Sequence, residues 1–418
     1  MYLFPAVVGG GLGDIEEVLA AGRELARAGG KPILFRLPGR PLPRSVDGPW
    51  DWPSIERRDS PAARAPAAVT ISAAWGVSAA PSRPERYGRG GPWELEAAAV
   101  ERGYGTASTI HISLEEFART LPAAGENRER LREGGVRQRA LSARLARSRR
   151  SGEVDALRAA FRRHRAFDRP NVLHLYTTFR ADPSFSREYP EAVQTGPLWP
   201  RATPPRRPLH RNRRREWVWY ASPASAEQIA PAVLDGLGDA KPPVRLYVRT
   251  DRPWAMTVPA GRGEVAAGPV DPTRWRRRFA SAELRIVTGS RTLLEAIELG
   301  GPFLYFNGVL DRGTRRRRHR PEKIVAWLDG ARAAGVPSGL RRDIADFARG
   351  RRVREVVGYA VRREGGWGRF PMALPPAGFR PPYDDAGRLL VAVVRALSAT
   401  PSDAVGIVAR VRAGATTL

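Results

Sequence analysis

The sequence predicts an α/β protein built from two facing, doubly wound, Rossmann-like domains. In both halves of the chain, short segments rich in Val, Ile, Leu and Tyr alternate with helical segments, the order that parallel sheets with crossover helices require. Between the halves lies GPLWPRATPPRRPLHRNRRRE, which is dense in proline and arginine and has no hydrophobic periodicity. We therefore predict an N-terminal domain over residues 1–195, a linker over 196–215, and a C-terminal domain with terminal helices over 216–418.

The first half begins with a strand, a glycine-rich turn and a helix. Apolar runs then mark further strands, and Ser113 with Glu116 has the spacing of a capping box, which predicts that a helix starts there. In chain order, we predict strands at residues 2–8, 32–37, 108–112 and 171–179, and helices at 14–28, near 93–102 and over 127–165. A short apolar run lies at residues 67–73.

The second half repeats the alternation after the linker. The strand segments are WVWYAS, VRLYVRT, GEVAAGPV, ELRIVTG and PFLYF, each bounded by turn residues. Helices are predicted at residues 224–237, 272–280 and 292–299, followed by further helices to the end of the sequence.

The amino-acid composition limits the kinds of site and catalysis that the chain can have. The chain has 418 residues, of which 42% are apolar and 11 are tryptophan, so it can bury cores. It has no cysteine, which excludes disulfides, zinc–thiolate sites and thiol catalysis. The five histidines have no metal-ligand spacing, so we predict no metal site and no bound cofactor.

The net charge of +27 predicts attraction to phosphates. Two arginine-rich runs, residues 206–216 and 312–320, are either solvated loops or attachment points for an anionic membrane surface. Nucleic acid is disfavoured as a partner because aromatic residues are not interleaved with these runs. No basic leader and no apolar run of about 18 residues is found. We therefore expect a cytoplasmic protein, with peripheral attachment to the membrane as a further expectation.

The turn in VVGGGLGDIEEVLAAGRELARAGG (residues 7–30) is the first candidate site. A dinucleotide fingerprint would need a third glycine where Asp14 stands, and a carboxylate there would repel a pyrophosphate. Two interpretations of Asp14 are compatible. It caps the helix in a capping box with Glu17, or its carboxylate accepts a proton above the sheet.

The stretch IVTGSRTLLEAIELGGPFLYFNGVLDR (residues 286–312) is the second candidate site. Its turn offers backbone N–H groups, the hydroxyls of Ser290 and Thr292 and the positive end of a helix, which together suit a phosphate. Gly289 lets the backbone approach that phosphate, and Glu295 can accept hydrogen bonds from a ribose diol. The alternative is again structural, a capping box formed by Thr292 and Glu295.

These stretches resemble GT-B glycosyltransferases, especially the sterol and glycopeptide-antibiotic glucosyltransferases. The first is similar to their G-x-x-G-D turn, and the second to their G-x-x-[ST]-x-x-E-A donor signature through Gly289, Thr292 and Glu295. Asp311 matches the acidic residue that holds the donor sugar. Arg312 replaces the glutamine that usually follows, and Val287 stands where a histidine is common, which leaves the donor sugar open.

Two shorter segments add to the resemblance. YPEAVQTGPLWP is similar to the segment with which these enzymes leave the first domain, and VWYASPAS resembles their entry into the second. The resemblance implies that Asp14 is the general base. It also implies that Ser222, Ser225, Ser290 and Thr292 contact the donor diphosphate, and that the co-substrate is UDP-sugar or another nucleotide sugar.

The sequence thus favours an inverting, metal-independent glycosyltransferase. Its acceptor stays open, with a lipid-linked alcohol among the candidates. Two alternatives remain: a basic nucleic-acid-binding α/β protein, and a catalytically silent or epimerase-like GT-B relative.

Overall fold

A computed structural model describes most of the second half of the chain and parts of the first. The contacts divide the chain into two compact units: unit 1 comprises residues 1–42, 47–198 and 380–418, and unit 2 comprises residues 43–46 and 199–379. The described residues are 2–4, 13–30, 33–35, 54–55, 69–73, 108–114, 172–177, 179, 192–198, 216–221, 223–238, 245–250, 263–267, 272–310, 317–319, 321–333, 335–364, 366–367, 386–399 and 404–413.

The secondary-structure elements alternate in the order that the sequence predicts. The strands are β1 (Tyr2–Phe4), β2 (Ile33–Phe35), β3 (Ser54–Ile55), β4 (Val69–Ala73), β5 (Ser108–Leu114), β6 (Val172–Thr177), β7 (Ala192–Thr195), β8 (Glu216–Ala221), β9 (Arg245–Thr250), β10 (Gly263–Ala267), β11 (Leu284–Val287), β12 (Phe303–Tyr305), β13 (Gly308–Leu310) and β14 (Arg317–His319). The helices within the described residues are α1 (Gly13–Arg27), α2 (Pro223–Leu237), α3 (Pro272–Ser281), α4 (Ser290–Leu299), α5 (Glu322–Ala333), α6 (Ser338–Ala348), α7 (Val353–Arg362), α8 (Ala386–Ala399) and α9 (Ala404–Arg412).

Unit 1 is built on a parallel sheet with the strand order β3-β2-β1-β4-β5-β6-β7. β1 pairs with β2 on one side and with β4 on the other, so the direction of winding reverses between β1 and β4. A reversal of this kind opens a crevice at the carboxyl ends of the two strands, where α/β proteins bind ligands. α1 follows β1 at that edge.

The last two described helices belong to unit 1. The Arg395 side chain of α8 donates a hydrogen bond to the backbone carbonyl of Ala28, which follows α1, at 3.1 Å. α8 and α1 also approach closely at Gly387 of α8. A Cβ at that position would lie only 2.8 Å from Oε2 of Glu24 in α1. α8 therefore covers α1.

This grouping differs from the predicted division at the end of the chain. The sequence-based boundaries place residues 380–418 in the C-terminal domain, whereas the contacts place them in unit 1. The apolar face of α8, which includes the buried residues Leu390, Val393 and Leu397, needs an apolar partner, and α1 offers Ala21 and Leu25. An amphipathic pattern shows that a helix is covered on one side but does not show which element covers it.

Unit 2 is built on a second parallel sheet, with the order β10-β9-β8-β11-β12, and an antiparallel hairpin of β13 and β14. β8 pairs with β9 on one side and β11 on the other, so the winding reverses between β8 and β11. Trp217, Trp219, Val248 and Ile286 are completely buried in this sheet. Strands buried on both faces explain why their segments of the sequence are mostly apolar, as in WVWYA.

The helices of unit 2 pack closely on the sheet and on each other. A Cβ on Gly236 of α2 would lie 2.7 Å from the carbonyl oxygen of Arg354 in α7, so only glycine allows this approach. On α3, the Trp275 ring packs against Tyr220 of β8 and Tyr247 of β9 at centroid distances of 6.0 Å and 6.3 Å.

Arg285 links the carboxyl ends of α3 and α4 through hydrogen bonds. Its guanidinium donates hydrogen bonds to the carbonyls of Phe279 (2.6 Å), Ala280 (3.0 Å) and Gly300 (2.6 Å). Burial lowers the pKa of Arg285 to about 10, so it stays charged at neutral pH. A cation at the carboxyl ends of helices is favourable because those ends carry partial negative charge.

Both sheets are parallel, and the α/β class is confirmed. One expected helix start is wrong: Ser113 lies inside β5, where Ser113 pairs with Tyr176 and Leu114 with Thr177 of β6. Strand pairing overrides the local capping signal. The helices predicted near 93–102 and over 127–165 lie outside the described residues, as does the linker beyond residue 198.

Candidate nucleotide site of unit 2

Two of the predicted segments meet at the point where the unit 2 sheet reverses its winding. β8 precedes the turn that leads to Ser225, and β11 precedes the turn that contains Gly289 and Ser290. Because β8 and β11 are paired and parallel, with Trp219 opposite Ile286, their carboxyl ends lie at one edge of the sheet. The fold thus brings these two turns together. Ser222 and Asp311 lie outside the described residues.

The β11–α4 turn is held in a conformation that requires glycine. Gly289 has φ of 89° and ψ of 161°, a region that residues with a side chain rarely adopt. A Cβ at this position would meet nothing within 4 Å, so the backbone angle demands glycine here and space does not. The turn is anchored by the Thr288 hydroxyl, which donates to the carbonyl of Phe306 at 2.8 Å.

The start of α4 has no side-chain cap. The helix begins at Ser290, with Gly289 at the N-cap and no hydrogen bond from a capping side chain. The capping box proposed for Thr292 and Glu295 is therefore not formed, because the Thr292 hydroxyl lies inside the first turn and donates to the carbonyl of Thr288 at 2.7 Å. A helix start without a side-chain acceptor presents its first N–H groups and the positive end of its dipole to an anion.

A lysine lies beside this helix start. Nζ of Lys323, the second residue of α5, donates to the Ser290 hydroxyl oxygen at 2.5 Å. The hydroxyl proton of Ser290 can therefore be donated elsewhere, and the ammonium has two further N–H groups. Sequence reasoning missed Lys323, although the available signal was that it is one of only three lysines in a chain with 70 Lys and Arg residues.

Glu295 is paired with a buried arginine. Nε of Arg291 lies 3.5 Å from Oε1 of Glu295, one turn along α4, and the two side chains are 7% and 17% exposed. Sequence reasoning also missed Arg291, for which the i, i+4 spacing was the signal. A carboxylate accepts several hydrogen bonds, so Glu295 can bind hydroxyl groups while it is paired with Arg291.

Ser225 is engaged in the fold itself. Its side chain is completely buried; the hydroxyl accepts a hydrogen bond from the N–H of Gly308 at 3.0 Å and donates to the carbonyl of the same residue at 3.4 Å. These bonds fix the beginning of α2 to the first residue of β13. In this arrangement, Ser225 positions the β8–α2 turn.

Asp14 belongs to the other compact unit. α1 begins at Gly13, so Asp14 lies in the first turn of the helix and not at the N-cap position of a capping box. It follows β1 at the edge where the winding of the unit 1 sheet reverses. That is the edge at which a carboxylate could act on a bound acceptor, and the role of Asp14 stays a prediction.

Two further expectations concern metal ions and the membrane. Within the ranges that the structure covers, no group of three or more His, Asp or Glu side chains is arranged to hold a metal ion. Over the same ranges, no helix is both long and apolar enough to cross a bilayer. Apart from Glu216 and β14, the two arginine-rich runs lie outside the described residues, so binding to an anionic membrane stays a prediction.

Comparison with known proteins gives matches among solved structures alone. No family model and no curated protein matches the sequence. The chain is similar to Arabidopsis thaliana UGT89C1 in complex with quercetin, with 12% identity over 99% of this chain and 98% of that chain and a TM-score of 0.44. It is also similar to the spinosyn rhamnosyltransferase SpnG, with 12% identity over 99% and 98% of the two chains and a TM-score of 0.40. Acinetobacter baumannii MurG matches with 11% identity over 94% and 99% of the two chains and a TM-score of 0.35. These three solved structures are GT-B glycosyltransferases.

Proposed function

We propose that this protein is a glycosyltransferase that moves a sugar from a nucleoside-diphosphate donor to an acceptor hydroxyl. The observation that carries the proposal is the edge of unit 2 where β8 and β11 end together. There, the start of α4 lacks a side-chain cap, and the Ser290 hydroxyl and the Lys323 ammonium lie beside it. A helix start, a hydroxyl and a cation together suit the oxygens of a diphosphate.

The residues of this edge have separate roles in the proposal. The first N–H groups of α4, Ser290 and Lys323 hold the diphosphate, and Glu295 accepts hydrogen bonds from the ribose. Asp311, with Ser222, completes the donor site on the strength of the motifs. Thr292 and Ser225 donate to backbone carbonyls and so keep the two turns in place.

The proposed reaction is a single displacement at the anomeric carbon. The carboxylate of Asp14 takes the proton of the acceptor hydroxyl, and the acceptor oxygen forms a bond to that carbon as its bond to the diphosphate breaks. The configuration inverts, the nucleoside diphosphate leaves, and the proton stays on Asp14. The positive helix end and Lys323 stabilise the charge that develops on the leaving group, so the proposed step needs no metal ion.

Calorimetric titration with UDP tests the donor site through Glu295. Glu295→Gln keeps the shape of the side chain but replaces charge-assisted hydrogen bonds to the ribose with neutral ones. We expect UDP affinity to fall by about 1 kcal/mol or more, which is roughly fivefold or more. Glu298→Gln, on the same helix, is the matched control and should bind UDP like the wild type.

The pairing of Glu295 with Arg291 requires a second measurement. The thermal midpoint of each variant shows whether loss of the ion pair has loosened α4. Unchanged UDP affinity in Glu295→Gln would remove the ribose assignment. If UDP, thymidine diphosphate and other nucleoside diphosphates all fail to bind while single-stranded oligonucleotides do, the nucleic-acid alternative replaces the glycosyltransferase.

Lys323 gives a test that separates phosphate from nucleoside. Because a charge-assisted hydrogen bond contributes about 1.5–3 kcal/mol, Lys323→Met should weaken UDP binding by at least about tenfold. Uridine, which has no phosphate, should bind both proteins equally. Lys323→Arg is the control that keeps the charge, and it should retain more affinity than Lys323→Met. Equal losses for UDP and uridine would show that Lys323 acts on the fold and not on the diphosphate.

A further inference from the structure

Arg249 is a buried arginine at the ligand-binding edge of unit 2. It is the fifth of the six residues of β9, so it lies next to the carboxyl end of that strand, opposite Tyr220 of β8 and Ala266 of β10. Only 9% of its surface is exposed. An arginine buried to this degree normally has an acidic or carbonyl partner, because removing its charge from water is costly.

The contacts of Arg249 are aromatic. Its guanidinium carbon lies 5.0 Å from the centroid of the Trp275 ring and 5.6 Å from that of Tyr220. Its Nε is buried and has no hydrogen-bond partner, and no residue in the part of the chain that the structure describes forms an ion pair with it. The rings stabilise the cation but supply no hydrogen-bond acceptor to its Nε.

Two other arginines of unit 2, Arg278 and Arg285, have partners within the protein and so serve as structural references for Arg249. Arg278 stacks on Tyr247 at 4.0 Å, and its Nε lies 3.6 Å from the carboxylate of Glu216. Arg285 donates to three backbone carbonyls. Arg249 has neither kind of partner. In addition, it lies against Trp275 in the first part of α3, and the first turn of that helix contains no acidic residue.

We propose that Arg249 binds a phosphate group, which supplies the acceptors that the protein does not. The guanidinium presents its N–H groups as a planar fork that matches the oxygens of a phosphate, and the two rings hold that fork in one orientation. The choice of phosphate rests on the proposed function. β8 separates β9 from β11, so the ends of β9 and β11 lie about 10 Å apart, within the reach of one nucleotide sugar.

Binding and stability measurements on four full-length proteins test this site. The proteins are the wild type, Arg249→Met, Arg249→Lys and the control Arg278→Met, each titrated with UDP, uridine and inorganic pyrophosphate. We expect Arg249→Met to weaken UDP and pyrophosphate binding at least tenfold and to leave uridine binding unchanged. Arg249→Lys, which keeps the charge but loses the fork, should fall between the two.

The thermal midpoint without ligand separates binding from support of the fold. Arg249→Met should keep or raise the midpoint because it removes a buried charge that has no partner. Arg278→Met should lower the midpoint and leave UDP affinity unchanged. If Arg249→Met does not fold, Arg249→Gln takes its place with the same expected results.

The outcomes distinguish this site from the proposed function. If the wild type binds UDP and Arg249→Met binds UDP and pyrophosphate within twofold of it, the inference is overturned and the glycosyltransferase proposal stands. If pyrophosphate binds in an Arg249-dependent way while no nucleotide binds, the inference stands and the proposed function fails. A midpoint that falls in Arg249→Met, with unchanged binding, would make Arg249 a structural residue and overturn the inference.

Discussion

Arg285 and Arg249 are both buried in the sheet of unit 2, but they lie at opposite ends of its strands. Arg285 is the second residue of β11, at the amino end, and its guanidinium donates to the carbonyls of Phe279, Ala280 and Gly300. Arg249 is next to the carboxyl end of β9; its Nε has no hydrogen-bond partner, and its contacts are the faces of Tyr220 and Trp275.

The direction of the helices accounts for this difference. In a parallel sheet with crossover helices, the helices end near the amino ends of the strands and begin near the carboxyl ends. A buried cation at the amino edge therefore meets unpaired carbonyls, whereas one at the carboxyl edge meets N–H groups and helix dipoles of its own sign. The same residue type stabilises the fold at one edge, and at the other edge it needs an anion from outside.

The largest expected effect extends this comparison to unit 1, where Asp14 follows the carboxyl end of β1. Asp14→Asn keeps the size of the side chain and removes its basicity, so the rate of sugar transfer should fall by roughly 10²–10⁴-fold. The thermal midpoint and UDP affinity should stay at wild-type values. The assay is the rate of nucleoside diphosphate release in the presence of a donor and an accepted alcohol.

Glu17→Gln is the matched control for Asp14, because it removes a carboxylate from the same helix. It should retain wild-type turnover. Near-normal turnover in folded Asp14→Asn would show that this carboxylate is not the base, and the comparison would then hold for unit 2 alone.

The next effect is on stability, at the amino edge. Arg285→Met leaves three carbonyls without their donor, two of them buried, and each buried unsatisfied group costs about 1–3 kcal/mol. The free energy of unfolding should therefore fall by at least about 2 kcal/mol, as measured by urea denaturation. UDP affinity, measured well below the unfolding transition, should change less than twofold.

The ion pair between Arg278 and Glu216 gives a reference for the size of this loss of stability. Arg278 and Glu216 are 20% and 26% exposed, so Arg278→Met should cost less than Arg285→Met, about 1 kcal/mol or below. If Arg285→Met instead lost UDP binding while its free energy of unfolding was unchanged, the amino edge of the sheet would bind the ligand. The proposed difference between the two edges would then be wrong.

The sequence predicts the fold well where periodicity is strong. β8, β9 and β11 are mostly apolar segments, although β9 contains Arg249 and β11 contains Arg285, and each lies within two residues of its predicted bounds. β7 and the β13–β14 hairpin were not predicted as strands, because Ala192–Thr195, Gly308–Leu310 and Arg317–His319 are short and are not continuously apolar. The partner of α8 was missed for another reason: which helix it covers depends on contacts more than 300 positions apart in the chain.

The residues of the candidate site were likewise predicted where they are close in sequence and missed where they are distant. The turn with Gly289, Ser290 and Glu295 was predicted because its chemistry lies within seven consecutive residues. Lys323 was missed because it reaches Ser290 across 33 positions. Arg249 was missed because an arginine in an arginine-rich chain carries no signal until its burial and its lack of acceptors are known.

The smallest expected effect concerns Ser225, which lies at the carboxyl edge but has the hydrogen bonds of a structural residue. Its hydroxyl is buried and is paired with both the N–H and the carbonyl of Gly308. Ser225→Ala should therefore lower the free energy of unfolding by about 1 kcal/mol and change UDP affinity by less than twofold. Ser222→Ala is the matched variant, since the motifs assign both hydroxyls to the diphosphate, and it should lower UDP affinity severalfold with little change in stability. If Ser225→Ala instead lost UDP affinity tenfold at unchanged stability, the hydroxyl must leave Gly308 and bind the ligand directly. The carboxyl edge would then bind the ligand even through a hydroxyl that is hydrogen-bonded within the protein. The difference between a ligand-binding carboxyl edge and a structural amino edge would be larger than the hydrogen bonds of Ser225 suggest.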